Sequence, residues 1–295
     1  MSNICKVIVI VGPNASGKSK LAVKLAKKFQ GEIISADSRQ VYQGLNIGTG
    51  KITEKEMAGV PHHLLDIADP QKRFSVVSFK KLAQEAINKI AKLGKTPIIV
   101  GGGGFWINAL IYDLEIPNVP PNLNLRKKLE KKSAAQLLNL LKKIDPRRAS
   151  TVEQKNPRRL IRAIEIAQTL GQVPNVKKNY PYKVLWLGIK WPKEILYKRI
   201  RERLWKRLQA GMIKEARDLR KQGLSWKRFY ELGLEYKFLA EHLRGRLDKK
   251  EMAVKLEKAI QQYARRQMVW FKRNKSIHWI QKPKKAEILL KKFLI

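Results

Sequence analysis

The eight residues Gly12-Pro13-Asn14-Ala15-Ser16-Gly17-Lys18-Ser19 constrain this chain more than any others. They have the spacing GxxxxGK[ST]. They stand between a β-branched apolar run, 6–11, and the segment 17–29, where Leu21, Ala22, Leu25 and Ala26 recur at helical spacing. A strand that ends in a glycine turn and passes straight into a helix opens a parallel α/β unit. Glycines let successive N–H groups turn inward on an anion, Lys18 reaches the outer phosphate, and Ser19 is suited to ligate Mg²⁺. The helix N-terminus adds its partial positive charge. All eight residues from Gly12 to Ser19 are therefore assigned to a di- or triphosphate.

The remaining pattern extends that unit. Residues 32–35 read as a second strand ending at Ala36-Asp37-Ser38. Segment 74–93 places Phe79, Leu82, Ala83, Ala86, Ile87 and Ile90 on one helical face, and 97–100 is a buried strand running into Gly101–Gly104. After Tyr112 the run Ile116-Pro117-Asn118-Val119-Pro120-Pro121 excludes regular helix and opens a region of short basic helices reaching Tyr182. Segment 184–189 returns to strand character, 193–222 and 248–273 read as long basic helices, and 276–280 as a last strand before a short helix. The expected fold is α/β: a P-loop NTPase-like parallel-sheet core from 1–117 and 183–295, with an inserted all-helical subdomain at 118–182.

Charge indicates the partner. The 295 residues hold 63 Lys and Arg against 24 Asp and Glu, a net +39, on a chain 44% hydrophobic that has ample material for a core. Residues 1–117 contain 16 basic and 9 acidic residues, whereas 118–295 contain 47 and 15. A polyanion is expected mainly against the C-terminal part. One cysteine, Cys5, excludes a disulfide framework, and four histidines leave no Cys/His cluster for structural zinc. No apolar run approaches membrane length, so no membrane partner is expected; the cysteine usage points to a reducing, cytoplasmic chain, and a monomer is expected.

Asp37, nineteen residues after Lys18, falls at the carboxyl end of the second strand, where the ligand crevice of a doubly wound sheet forms. A carboxylate there suits a Mg²⁺ ligand or a general base, and equally a helix N-cap. A kinase or ATPase usually carries an Asp at the end of a hydrophobic strand, but 97–100 ends in four glycines. His62 and His63, being adjacent, point to different sides, and at least one is expected to be structural. At 259–271, Trp270 and Phe271 are expected in the core and the arginines toward nucleic acid. Arg158, Arg159 and Arg162 are as readily a solvated helix face.

Together these stretches resemble the bacterial tRNA dimethylallyltransferases, or tRNA isopentenyltransferases. The resemblance rests on GPNASGKS (12–19), SADSRQVY (35–42), GLNIGTGK (44–51), GVPHHLLDI (59–67), FSVVSF (74–79), PIIVGGGG (97–104), NPRRLIRAIEI (156–166), RERLWKRLQAGMIKEARDL (201–219) and AIQQYARRQMVWF (259–271), in order over most of the chain.

It implies transfer of a dimethylallyl group from dimethylallyl diphosphate to N6 of the adenine just 3′ of the anticodon, releasing pyrophosphate with Mg²⁺ as cofactor. The positions matching the family's catalytic residues are Asp37, Lys18, Arg203 and Gly103. Contacts to the tRNA anticodon stem-loop are implied for Asp37, Ser38, Arg39, Gln40, Gly103, Arg126, Asn156, Pro157, Arg158, Arg159, Arg265 and Arg266, and for the helix from Gln262 to Gln267. The adenine is expected to flip into a channel between the core and the inserted subdomain.

The family has threonine where this chain has Gly103, and usually tyrosine where it has Trp106. A missing hydroxyl at 103 removes a hydrogen bond to the leaving oxygen, a loss of about 1.5–3 kcal/mol if nothing replaces it. The competing readings are a P-loop kinase or ATPase, ATP-binding and acting with nucleic acid, and a catalytically weakened tRNA-binding homologue.

Overall fold

The computed structural model describes residues 4–295. Six strands, β1 (Cys5–Val11), β2 (Gly31–Ser35), β3 (His62–His63), β4 (Thr96–Gly101), β5 (Tyr182–Ile189) and β6 (His278–Ile280), form one sheet in the order β3-β2-β4-β1-β5-β6. Every neighbouring pair is parallel. This is the expected α/β, P-loop NTPase-like sheet.

The chain divides into two compact units, Met1–Asp113 with Asn179–Ile295, and Leu114–Lys178. The boundaries lie four residues before the expected 118 and 182 at both ends. In the first unit, α1 (Lys18–Lys28), α2 (Glu54–Met57), α3 (Val76–Lys92) and α4 (Gly104–Ile111) precede the insertion. The helices α5 (Leu123–Leu129), α6 (Ala134–Ile144), α7 (Pro146–Thr151) and α8 (Pro157–Leu170) make up the second unit. The first then resumes with α9 (Lys193–Gln209), α10 (Met212–Lys221), α11 (Trp226–Leu232), α12 (Leu234–Leu243), α13 (Lys249–Phe271) and α14 (Pro283–Leu294).

Alternation along β1 explains its unbroken apolar sequence, since a strand covered on both faces needs apolar residues at every position. Val7, Val9 and Val11 meet Phe79 and Ile87 of α3 and Ile107 of α4 on one face. Ile8 and Ile10 meet Leu21 and Leu25 of α1 and Leu290 of α14 on the other. A separate core gathers α9, α10, α12 and α13 around Leu204, Met212, Tyr236 and Leu256.

The register brings Val11 opposite Gly101, and Ser35 opposite Val100. The carboxyl ends of β1, β2 and β4 are therefore level, and the loops that follow them share one end of the sheet. That is where an open parallel sheet binds its ligand.

Three local expectations are corrected. Residues 193–222 are two helices: Gly211, at φ +98°, starts α10 in the left-handed region that a side chain resists. The two-residue β3 is too short to carry a period and was not anticipated. Strand β5 begins at Tyr182, paired with Cys5, two residues before the expected start at 184 and one inside the expected subdomain.

Inside the second unit, Glu165 is 1% exposed and organises the packing. Its carboxylate accepts from Arg126 Nε (3.0 Å) and Nη2 (2.7 Å), Arg162 Nη1 (2.6 Å) and the Asn122 amide (2.6 Å). Burial works against the charge, but these donors outweigh it and hold the Glu165 pKa low.

Candidate active site

The loop after β1 turns through Ala15 and Gly17, at φ +62° and +92°, with Gly17 as the left-handed N-cap of α1. Its carbonyls are held by side chains. Lys18 Nζ donates to Pro13 O (3.3 Å), Arg199 Nε to Ala15 O (2.8 Å) and Trp191 Nε1 to Ser16 O (2.9 Å), and the Arg199 guanidinium stacks 5.2 Å from the Trp191 ring centroid. The Asn14 amide donates to Gln267 Oε1 (2.9 Å), while Gln267 Nε2 donates to Gly102 O (3.0 Å). One glutamine thus ties the phosphate-type loop to the glycine run after β4. Ser16 Oγ is buried there without a hydrogen-bond partner.

A cavity opens beside this loop. Lys18, Arg203, Ser19, Thr49 and Asn14 bring cations and donors to its wall, and Asp37 is the one carboxylate among its lining residues. Ile33, Ile52, Leu65 and Val100 supply an apolar surface in the same space, with Gln40, Gly50 and His62 completing much of the wall. Burial, then the Arg203 charge, pulls the Lys18 pKa down to about 8, with Asp37 acting in the opposite direction. Burial, then Arg207, also lowers Arg203. Two largely desolvated cations facing one cavity are poised for an anion.

Asp37 is not a helix N-cap. Its Oδ1 accepts the Arg39 amide (2.9 Å), an Asx turn that fixes the carboxyl through one oxygen. Arg39 reaches Glu231 O (3.3 Å), and Gln40 Nε2 reaches Gly50 O (3.4 Å). His63 proves structural, its Nε2 lying 2.7 Å from Glu32, which also pairs with Lys95 at 2.7 Å. His62 lines the cavity instead. Its Nδ1–H donates to Val60 O (2.8 Å), and burial lowers its pKa.

The other expected contact residues are dispersed. Ser38 is half-buried beside Asp37, and Arg265 and Arg266 are exposed on α13. Gln267 of the same helix is 5% exposed and committed to the loops, which corrects its assignment to the RNA surface: a buried side chain bridging two backbone groups has no reach left. Phe271 is buried and Trp270 half-buried against the sheet core, as expected. In the second unit Asn156 caps α8 by accepting the Arg159 amide (3.4 Å), Pro157 occupies the first turn, and Arg158 and Arg159 are exposed. Arg126 gives its guanidinium fork to Glu165.

Gly103 caps α4 and is absent from the cavity wall, where Gly101 and Val100 stand. A Cβ on Gly104 would lie 2.1 Å from Trp270 Cδ1, an overlap a packed indole cannot relieve. At Gly103 the nearest atom would be Ala36 O at 3.2 Å, so this is the roomier of the two positions. Gly104→Ala is accordingly expected to lower stability by about 1–3 kcal/mol, and Gly103→Ala by less. Thermal melts of the two variants check that order.

Sequence reasoning passed over Arg199, Arg207, Thr49 and Glu215. The signal was present: Arg199, Arg203 and Arg207 recur at four-residue spacing, one face of α9, and each donates to a loop carbonyl.

A metal at this site cannot rest on a protein cage, since among the described residues no group of three His, Cys, Asp or Glu is arranged to hold one. The Ser19 hydroxyl on the cavity wall fits Mg²⁺, which keeps several waters and takes one or two protein oxygens beside substrate phosphates.

The model of the IPP transferase family matches residues 40–274. This chain belongs to the IPP transferase family. It is 41% identical over 279 residues to a tRNA dimethylallyltransferase of Anoxybacillus flavithermus, covering 93% of this chain and 89% of that one. It is 42% identical over 285 residues to tRNA dimethylallyltransferase 2 of Treponema denticola, covering 93% and 95%. Among solved structures, a tRNA isopentenylpyrophosphate transferase from Bacillus halodurans superposes with a TM-score of 0.74 at 35% identity, covering 99% of this chain and 96% of that chain. A eukaryotic dimethylallyltransferase acting on tRNA gives 0.73 at 27% identity, covering 90% and 70%. Among the described residues of this IPP transferase, no helix is long and apolar enough to cross a membrane.

Proposed function

We infer that this chain transfers a dimethylallyl group from dimethylallyl diphosphate to N6 of the adenine 3′-adjacent to the anticodon of tRNA, releasing pyrophosphate. The observation that carries this reading is the mixed cavity. Lys18, Arg203 and Ser19 offer an anion site, Ile33, Ile52, Leu65 and Val100 offer an apolar wall, and Asp37 is a carboxylate in the same space. A diphosphate with a short hydrocarbon tail needs both surfaces at once.

In the reaction the N6 lone pair attacks C1 of the donor and the C1–O bond breaks. The electron pair leaves on the bridging oxygen of pyrophosphate, and the N6 proton passes to Asp37. Exocyclic adenine nitrogen is a weak nucleophile, so alignment and proton removal supply much of the barrier reduction. Lys18 and Arg203 stabilise the charge gathering on the leaving diphosphate. Mg²⁺ held by Ser19 would neutralise part of that charge.

The basic C-terminal region, with Arg158, Arg159, Arg265 and Arg266 exposed, suits the phosphates of an anticodon stem-loop. We place the reaction in the cytoplasm with a monomeric enzyme. Affinity for tRNA should fall at least about tenfold between roughly 50 and 200 mM salt as counterion release is lost. A flat profile in a filter-binding titration would assign the basic surface another purpose.

Incubation with tRNA and labelled dimethylallyl diphosphate, in parallel with ATP, tests the function. Label on RNA is expected; phosphate released from ATP without transfer would instead identify a kinase or ATPase.

A further inference from the structure

Residues 46–48 present three successive backbone N–H groups to one point, the kind of concavity that binds anions. Here the anion is the chain's own. Glu215, in the first turn of α10, accepts from Asn46 N (3.0 Å) and Ile47 N (2.6 Å) through Oε2, and from Gly48 N (2.8 Å) through Oε1. Tyr236, 1% exposed, donates its hydroxyl to Oε1 at 2.9 Å. The opposite polarity of the same loop is held by Arg207 of α9, which donates through Nε to Ile47 O (2.6 Å) and through Nη2 to Gly48 O, and pairs with Glu235 at 3.3 Å. Carboxylate on the amides and guanidinium on the carbonyls leave this loop little freedom to shift.

The loop leads directly into the cavity. Thr49 and Gly50 line it, and Gly50 O accepts from Arg203 Nη2 at 2.9 Å. A Cβ on Gly50 would lie 2.2 Å from that nitrogen, so the guanidinium is seated closely on the turn. We propose that Glu215 and Arg207 are positioning residues that aim Arg203 at the diphosphate by anchoring the 46–50 loop. This rests on the role given above to Arg203. A guanidinium displaced by even an ångström loses much of its hold on charge that develops only in the transition state.

The test is a double-mutant cycle of Glu215→Gln and Arg203→Ala, read as kcat and KM for both substrates. Glu215→Gln should lower kcat about 10–100-fold with KM for tRNA unchanged, and Arg203→Ala about 100–1000-fold. The double variant should be no slower than Arg203→Ala alone, because the anchor has nothing left to aim. Multiplying losses, or a wild-type kcat in Glu215→Gln, would overturn the proposal. Should Arg203→Ala by itself transfer at the wild-type rate, the assigned role of Arg203 would fall, and the anchor with it. If Glu215→Gln does not fold, Arg207→Lys, which keeps the charge and loses the fork, runs the same cycle under the same criteria.

Discussion

Replacing Asp37 by asparagine is expected to reduce prenyl transfer by about 100–10,000-fold, the range a positioned general base supplies. The substitution is a clean one. Asparagine keeps an oxygen for the Arg39 amide, so the Asx turn that sets residues 37–39 survives, and Arg39 keeps its contact with Glu231. What is lost is the ability to accept the N6 proton. Affinity for tRNA should stay within a few fold, measured by filter binding alongside single-turnover transfer. Parallel loss of binding and transfer would mean that the carboxylate holds the loop and takes no proton.

Lys18 gives the second large effect, with a pH signature. Its pKa near 8 means that the empty site holds an ammonium below that pH and increasingly an amine above it. An anion binds the protonated form better, so affinity for pyrophosphate should be highest below about pH 8 and weaken as pH rises beyond it, with proton uptake on binding. Calorimetry in buffers of different ionisation enthalpy measures both. Lys18→Ala should lower kcat about 100–1000-fold and remove this pH dependence. An unchanged dependence in the variant would assign the titration to another group, the diphosphate itself included.

How much of this was legible in the chain depended on periodicity and on range. The strand into Gly12, the helix after Lys18 and the apolar face of α3 repeat at fixed intervals, and they appear where the spacing placed them. The two-residue β3 has no interval to repeat, and Gly211 breaks a helical pattern that its neighbours continue. At the site, Lys18 follows from the GxxxxGK[ST] spacing and Asp37 from its place just past the end of a strand. Gln267 did not, since its partners, Asn14 and Gly102, lie far away in sequence and nothing local distinguishes a bridging glutamine from a surface one. Glu215 was hidden for the same reason, standing in a run of charged residues that reads as a solvated face. The apolar side of the cavity was also unreadable, because Ile33 and Val100 look like any core residue until the sheet end opens beside them.

The central claim is that one cavity grips a diphosphate and sheathes its hydrocarbon tail next to Asp37. A crystal structure with a thio-substituted, unreactive dimethylallyl diphosphate measures this directly. The diphosphate should lie on residues 12–19 within reach of Lys18 and Arg203, with the tail against Ile33, Ile52, Leu65 and Val100. A tail directed into solvent, or ATP occupying the same space with its purine against those four residues, would contradict the account.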